Sequence, residues 1–204
     1  TLTVTLKDGI TFASGNPMTS ADVAFSINRC KNLQGNPAFI ADTIDSIETP
    51  DEKTIVFHLN QQDSAILSKL TYSSLAVLDS AVVKENGGTD AEDAATTDTA
   101  QSYLDTTSAG SGMYVTSYTP DEEVVLEKNP NYWGKATNVD KYIIKIQPDS
   151  NTQMMTLSSG DIDVAMNMTD DTMEELQGAD GIEIINGATK TAGFVMMNMN
   201  ETYS

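Results

Sequence analysis

"IDSIETPDEKTIVFHL" (Ile44–Leu59) and "YVTSYTPDEEVVLEK" (Tyr114–Lys128) constrain this chain most. In each, apolar and polar residues alternate on both sides of Thr-Pro-Asp-Glu. A period of two puts one set of side chains on one face of a strand. Proline fixes φ at the first turn position and aspartate suits the next. Both stretches therefore read as antiparallel hairpins, and neither reads as a helix. The shared tetrapeptide reflects turn chemistry, not an internal repeat.

The rest of the chain is read around these hairpins. "TLTVTLK" (Thr1–Lys7) alternates Leu2, Val4 and Leu6, a half-buried strand, and Asp8-Gly9 turns it. In "MTSADVAFSINRC", Thr19 and Asp22 form a capping box, and Val23, Ile27 and Cys30 share one face. A helix is expected from about Ser20 to Lys31. Asp63 is expected to cap a helix through Leu70, and a further helix runs from Asp79 to Glu85, stopped at Gly87-Gly88. "TDAEDAATTDTA" (Thr89–Ala100) reads as a solvated loop or insertion, because its spacing does not match a calcium loop. The last third reads as strand "YIIKI", helix "SNTQMMTLSSG" capped by Asn151 or Ser150, and strand "DIDVAM". Helix "TDDTMEELQG" and strands "IEIING" and "AGFVMMNMN" follow. This rhythm implies an α/β fold. Its methionines (Met154, Met155, Met166, Met168, Met173, Met196, Met197, Met199) are expected in the core.

A chain of 204 residues suits one large domain or two small ones. The change of rhythm near Gly110 suggests two parts: 1–108, a hairpin-and-helix subdomain, and 109–204, part of an α/β lobe. Thirty acidic against 11 basic residues give a net charge of −19, which repels nucleic-acid phosphates and anionic lipid. No nucleic-acid partner and no membrane insertion are expected, since no stretch is long and apolar enough to span a bilayer. Cys30 is the only cysteine, so neither an internal disulfide nor a cysteine zinc site is available. His58, the only histidine, lies in the alternating run "TIVFHL" and reads as a rim or solvent-facing strand residue. Thr1 opens directly in a strand, as in an excised or processed piece.

No catalytic signature is present: no P-loop, no dinucleotide glycine fingerprint, no G-x-S-x-G elbow. Gly110-Ser111-Gly112 precedes a strand, so it lacks the helix N-terminus that binds phosphate. Asp161/Asp163 and Asp170/Asp171 are pairs expected by chance in so acidic a chain. No catalytic residue, metal or cofactor is assigned. In "EKNPNYWG", Pro130 ends the strand and Asn131 tolerates the turn. Tyr132 and Trp133 are then expected to bury their rings and fix the exit.

Four pieces, in order, resemble the family 5 extracellular solute-binding proteins, the peptide, oligopeptide and nickel-chelate receptors of ABC importers. They are "TLTVTLKDGITFASGNPMTSADVAFSINR", "IDSIETPDEKTIVFHL", "SAGSGMYVTSYTPDEEVVLEKNPNYWG" and "LSSGDIDVAM". The family's usual glycine–proline strand entry has Met113 in place of the proline. The resemblance implies a mixed α/β, class II periplasmic-binding-protein-like lobe, with helices flanking a mixed sheet and an extra hairpin-and-helix subdomain. By this resemblance the stretch would leave out the second lobe and the N-terminal segment of the two-lobed receptor. It implies a non-enzymatic, substrate-binding component of an ABC transporter, working with a membrane permease. The location would be extracellular or periplasmic, with a lipoprotein tether or free periplasmic form in the full-length parent.

The resemblance also places ligand-facing residues. The loop after the first long helix presents an aromatic, here Phe39, with Asn36 one turn earlier; a second loop reaches the cleft at Tyr72, Ser73 and Ser74. Nickel-chelate relatives carry arginines at both loops, and here Asn36 and Tyr72 stand instead. That favours a small peptide or another neutral solute. The alternatives are a nickel-chelate or sugar receptor of the same family, an acidic hydrolase using a carboxylate pair, or a structural surface module. A binding lobe should show an open cleft lined by Phe39 and Tyr72 with no carboxylate pair converging there.

Overall fold

The computed structural model describes residues 1–135 and 137–187. It divides into two compact units, Thr1–Ile146 and Gln147–Ser204.

The first unit begins with β1 (Leu2–Thr5) and α1 (Ser20–Asn32). A 3₁₀ turn (Asn36–Ala41), β2 (Ile44–Glu48) and β3 (Thr54–Leu59) follow. The sheet order is β1-β3-β2, with both pairings antiparallel. Phe57 of the central strand pairs with Leu2 on one side and Ile47 on the other. Val23 and Ile27 of α1 join Ile44, Ile55, Phe57 and Leu75 in one core. The helix starts where it does for a local reason. Asp22 Oδ2 accepts from the Thr19 N–H at 2.8 Å, half of the capping box. Its other oxygen accepts from the Ser80 N–H at 3.1 Å and the Ser80 hydroxyl at 2.6 Å. Ser20 donates its N–H to Glu52 and its hydroxyl to Asp51, so the proline turn of the hairpin is stitched to the helix start.

Next come α2 (Ile66–Lys69), a 3₁₀ turn (Ser73–Leu75) and α3 (Ser80–Glu85). Asp63 lies ahead of α2 and does not cap a helix running to Leu70. Its Oδ2 instead meets Lys69 Nζ at 2.7 Å and the Thr43 hydroxyl at 2.6 Å. The Lys69 and Thr43 hydrogen bonds hold its carboxyl at about 2. Asp79 caps α3 and is 1% exposed. Its second oxygen accepts from Ser14 and Asn16, fastening the "SGNP" loop.

The acidic stretch Thr89–Ala100 is not a solvated loop. It carries α4 (Ala94–Thr97) and leads into α5 (Gln101–Leu104). Ala94 and Ala100 are fully buried, and Ala100 joins Phe25, Val83 and Ala109 in a second core. Small side chains let this backbone approach closely, and Asp98 enters because Arg29 meets it. Nε and Nη2 of Arg29 hold the two carboxylate oxygens at 2.7 and 2.8 Å. Burial would push the Asp98 carboxyl up, but the Arg29 pairing and the Thr89 and Ala100 N–H groups hold it below its ordinary value.

The second hairpin is β4 (Tyr114–Thr119) and β5 (Glu123–Lys128), joined by β6 (Lys141–Lys145) in an antiparallel sheet ordered β4-β5-β6. Among the described residues β6 lies at the edge of this sheet. Asn129, 4% exposed, does the work expected of the rings after it. Its Nδ2 donates to Gly112 at 2.8 Å, its Oδ1 accepts from the Asn131 N–H at 2.9 Å, and its N–H donates to Met113. Asn131 then bonds Ala13 and accepts from Thr11. Trp133 is not buried: it is 42% exposed, its Nε1 donates to Ser111, and Lys7 sits 6.0 Å over its ring. Tyr132 folds back over Gly134, where any Cβ would lie 2.6 Å from the ring. Main-chain bonding by asparagine thus fixes the exit, and the indole lies on the surface. Trp133→Ala is therefore expected to cost about 1 kcal/mol, since only part of the ring leaves water. Asn129→Ala should cost about 2 kcal/mol, because it strands a carbonyl and an N–H. Urea melts giving the reverse order would disprove this assignment.

The second unit holds α6 (Ser150–Ser159) and α7 (Asp170–Leu176). Asp149, not Asn151 or Ser150, caps α6, accepting from the Thr152 N–H at 2.7 Å. Gly160 ends α6 with φ 79, a conformation that glycine takes without strain. Two expected strands are absent. Asp161–Met166 and Ile182–Gly187 carry no ladder, and Val164 and Ile185 are 72% and 84% exposed. An extended segment becomes a strand only when a neighbour takes its main-chain groups, and none does so among the described residues. The methionine expectation fails at Met155 and Met166, both largely exposed; Met154, Met168 and Met173 are half-buried. "AGFVMMNMN", with Met196, Met197 and Met199, lies outside the described residues.

Candidate functional site

Two short loops leave the first core side by side. α1 ends at Asn32, and Gln34 takes a positive φ of 55 to turn the chain. Pro37 opens the 3₁₀ turn, whose Ile40 and Ala41 are buried. Phe39, just before those anchors, points outward and is 68% exposed. The second loop repeats the arrangement: Leu75 is buried, and Tyr72 is 58% exposed. Asn36 and Ser73 are exposed as well. Ser74 is half-buried, but its hydroxyl oxygen is shut off from water and has no hydrogen-bond partner.

The loops border a cleft of about 370 Å³, to which Gly35 and Pro37 come from one and Ser74 and Ala76 from the other. The third wall is the Ser26, Arg29, Cys30 and Leu33 stripe of α1. Burial pushes the Cys30 thiol up, which keeps it a neutral, unreactive wall. A second cleft of about 600 Å³ adjoins the first, sharing Ala76, Leu78 and Gln101. Of the five residues expected to face ligand, the structure brings Ser74 into this hollow. Asn36, Phe39, Tyr72 and Ser73 stand on the loops beside it and do not line it. Among the described residues Asp105 is the one carboxylate that lines either cleft, so no carboxylate pair of theirs converges there. Among the described residues no three His, Cys, Asp or Glu side chains converge as a metal centre would require. His58 is half-buried on β3, with Nε2 3.2 Å from Glu48 Oε1, remote in sequence from both loops.

Sequence reasoning missed Arg29 and the Ala76–Leu78 strip. Arg29 is the chain's only arginine. Its place with Ser26, Cys30 and Leu33 at i, i+3, i+4 and i+7 marks one helical face, a signal that was available. The strip carries no such signal, because a main chain advertises nothing in its side-chain types.

The first unit is mixed α/β, with two small antiparallel sheets and clefts of ligand size, and known proteins place the chain further. The family described as "Bacterial extracellular solute-binding proteins, family 5 Middle" matches residues 1–203, and the chain belongs to it. A protein named "Probable D,D-dipeptide-binding periplasmic protein DdpA", from Escherichia coli (strain K12), is 29% identical over 96% of this chain and 36% of its own length. The chain thus spans about a third of the length of such relatives. NikZ from Campylobacter jejuni, solved in complex with Ni(L-His), superposes with a TM-score of 0.70 at 20% identity, over 87% of this chain and 34% of NikZ. DppA from Helicobacter pylori, solved in complex with peptide STSA, gives 0.67 at 23% identity, over 86% of this chain and 36% of DppA. The two solved structures establish the fold.

Proposed function

We propose that this chain is part of a receptor that captures a short peptide, or a similar neutral solute, outside the cytoplasmic membrane for an ABC importer. Membership of the solute-binding family over residues 1–203 carries the proposal. Transport then rests on a membrane permease as partner, and the chain itself performs no chemistry. The location is periplasmic or extracellular, with the receptor tethered to the membrane or free. Among the described residues no helix is long and apolar enough to cross a membrane.

The peptide preference rests on charge. The only arginine is already paired with Asp98, and no other guanidinium is available to clasp an anionic chelate. Phe39 and Tyr72 offer aromatic faces suited to neutral side chains. The names of DdpA and DppA point the same way.

The test is thermal shift on the protein at the length its host makes, against dipeptides to tetrapeptides, nickel–histidine and neutral sugars. A ligand at a hundredfold its Kd stabilises by about 2.7 kcal/mol. Peptides are expected to raise Tm, and Phe39→Ala is expected to lessen the rise without lowering the ligand-free Tm. A rise with nickel–histidine alone would refute the peptide reading.

A further inference from the structure

We infer that Asp63 is a positioning residue: its carboxylate locks the loop that carries Phe39 to the loop that carries Tyr72, so that the two aromatics keep a fixed spacing. That the two rings meet a ligand rests on the peptide reading above; the lock itself does not.

The two loops are anchored separately. The first runs from the 3₁₀ turn Asn36–Ala41 to Thr43, just ahead of β2. The second starts at Lys69, the last residue of α2, and carries Tyr72 to the turn Ser73–Leu75. Ile40 and Ala41 hold the first loop in the core, and Ile66 and Leu75 hold the second. Apolar burial is non-directional. It sets how deep each loop sits and leaves free how one slides against the other. Only directional bonds between the loops fix that.

Asp63 supplies them. Its Oδ1 accepts from the Ala65 N–H at 2.9 Å, which holds the side chain in its own turn. Oδ2 is thereby aimed at the feet of both loops, the Thr43 hydroxyl at 2.6 Å and Lys69 Nζ at 2.7 Å. Lys69 Nζ also lies 3.4 Å from Thr43 Oγ1, closing a triangle. Each foot passes the constraint to the main chain. The Thr43 carbonyl accepts from the Asn60 N–H at 3.1 Å, and Asn60 Nδ2 donates to the Asp42 carbonyl at 2.8 Å, directly behind the first turn. The Lys69 carbonyl accepts from the Tyr72 N–H at 3.0 Å.

Burial decides that the lock is firm. Thr43 is buried, and the side chains of Asp63 and Lys69 are 9% and 29% exposed. The pair Lys53–Asp8, at 57% and 85%, is solvated by contrast. Exposed ion pairs contribute little, because water competes for both partners. A sheltered carboxylate that meets a cation and a hydroxyl makes shorter and stronger bonds. Held in this way, the two aromatic faces need no ordering when a solute arrives, which removes an entropic cost of binding.

Hydrogen exchange on the ligand-free protein at natural length tests the lock, with the Asn60 amide reporting the first loop and the Tyr72 amide the second. Asp63→Ala is expected to speed exchange at both about tenfold and to leave Val23 and Ile27 of α1 unchanged. Thr43→Val and Lys69→Met each cut one arm, and each is expected to speed both amides. Added to Asp63→Ala, neither should speed them further. A residue that merely stabilised its own loop would behave otherwise. If Thr43→Val speeds Asn60 alone and Lys69→Met speeds Tyr72 alone, the loops are independent and the lock is refuted. Calorimetry with tri-alanine tests the consequence for binding, and Asp63→Ala is expected to weaken it about tenfold. Equal binding by wild type and Asp63→Ala would overturn the positioning role whatever the exchange shows. If the wild type does not bind tri-alanine, the peptide reading fails at that point, and the exchange rates alone decide the lock.

Discussion

Arg29→Ala lowers the stability of the first unit by about 3–5 kcal/mol, the usual result of removing one partner from a buried ion pair. The side chains of Arg29 and Asp98 are 8% and 1% exposed. Without the guanidinium, the carboxylate keeps only the Thr89 and Ala100 N–H groups, at 2.9 and 3.2 Å. It must ionise in a near-dry site or take up a proton, and both cost free energy. Acid distinguishes this mechanism from loss of packing. The Asp98 carboxyl is held below its ordinary value in the fold. A depressed folded pKa contributes stability above the unfolded value, which is lost as pH falls through the folded one. The wild type should therefore lose stability below about pH 4, the ordinary range of an aspartate. In Arg29→Ala the slope from this group should flatten or reverse, because burial is left unopposed. Urea melts from pH 7 to pH 3 measure both effects. A loss under about 1 kcal/mol at pH 7 would mean that Asp98 stays hydrated and that the acidic segment is the solvated loop its composition suggests.

Phe57→Ala is expected to cost a similar amount, about 3–5 kcal/mol, by a different route. Phe57 is 2% exposed on the central strand β3, with sheet neighbours on both sides and α1 against its core. Truncation removes apolar burial and leaves a cavity that an antiparallel ladder cannot readily close. This loss should be nearly independent of pH between 7 and 5, since the titratable side chain in the cluster is Cys30, whose thiol burial pushes up and away from that range. A pH-dependent loss, or one below about 1.5 kcal/mol, would show that the sheet relaxes into the space. Because the loops that carry Phe39 and Tyr72 hang from the same core through Ile40 and Leu75, Phe57→Ala should also loosen them. Proteolysis would then cut first near Phe39 or Tyr72.

Local chemistry made a large share of the fold legible. The two proline-turn hairpins, α1 with its Asp22 cap, α3 with its Asp79 cap and the Gly160 stop all follow from residues within a few positions of one another. What failed needed distant partners. "DIDVAM" and "IEIING" have strand composition, but a strand also needs a neighbour. Trp133 has core composition, but Asn129 and Asn131 had already taken the main-chain groups that fix the turn. Thr89–Ala100 looks like a solvated run until Arg29, 69 residues from Asp98, supplies a counter-charge. The site divides in the same way. Phe39, Asn36, Tyr72, Ser73 and Ser74 were named through family resemblance. Phe39 is exposed directly before buried Ile40, and Tyr72 three positions before buried Leu75.

The sequence by itself determined where the chain turns, which faces of its hairpins and first helix are apolar, and to which family it belongs. These properties are local: they are set by dihedral preference, by periodicity and by ordered motifs. The tertiary structure alone decided that Asp98 goes inside, that Trp133 stays partly out, and that Ala76–Leu78 joins no sheet and borders two adjoining clefts. Each of those outcomes turns on whether a distant group satisfies a charge, a ring or a main-chain hydrogen bond, and that balance exists only once the elements have packed.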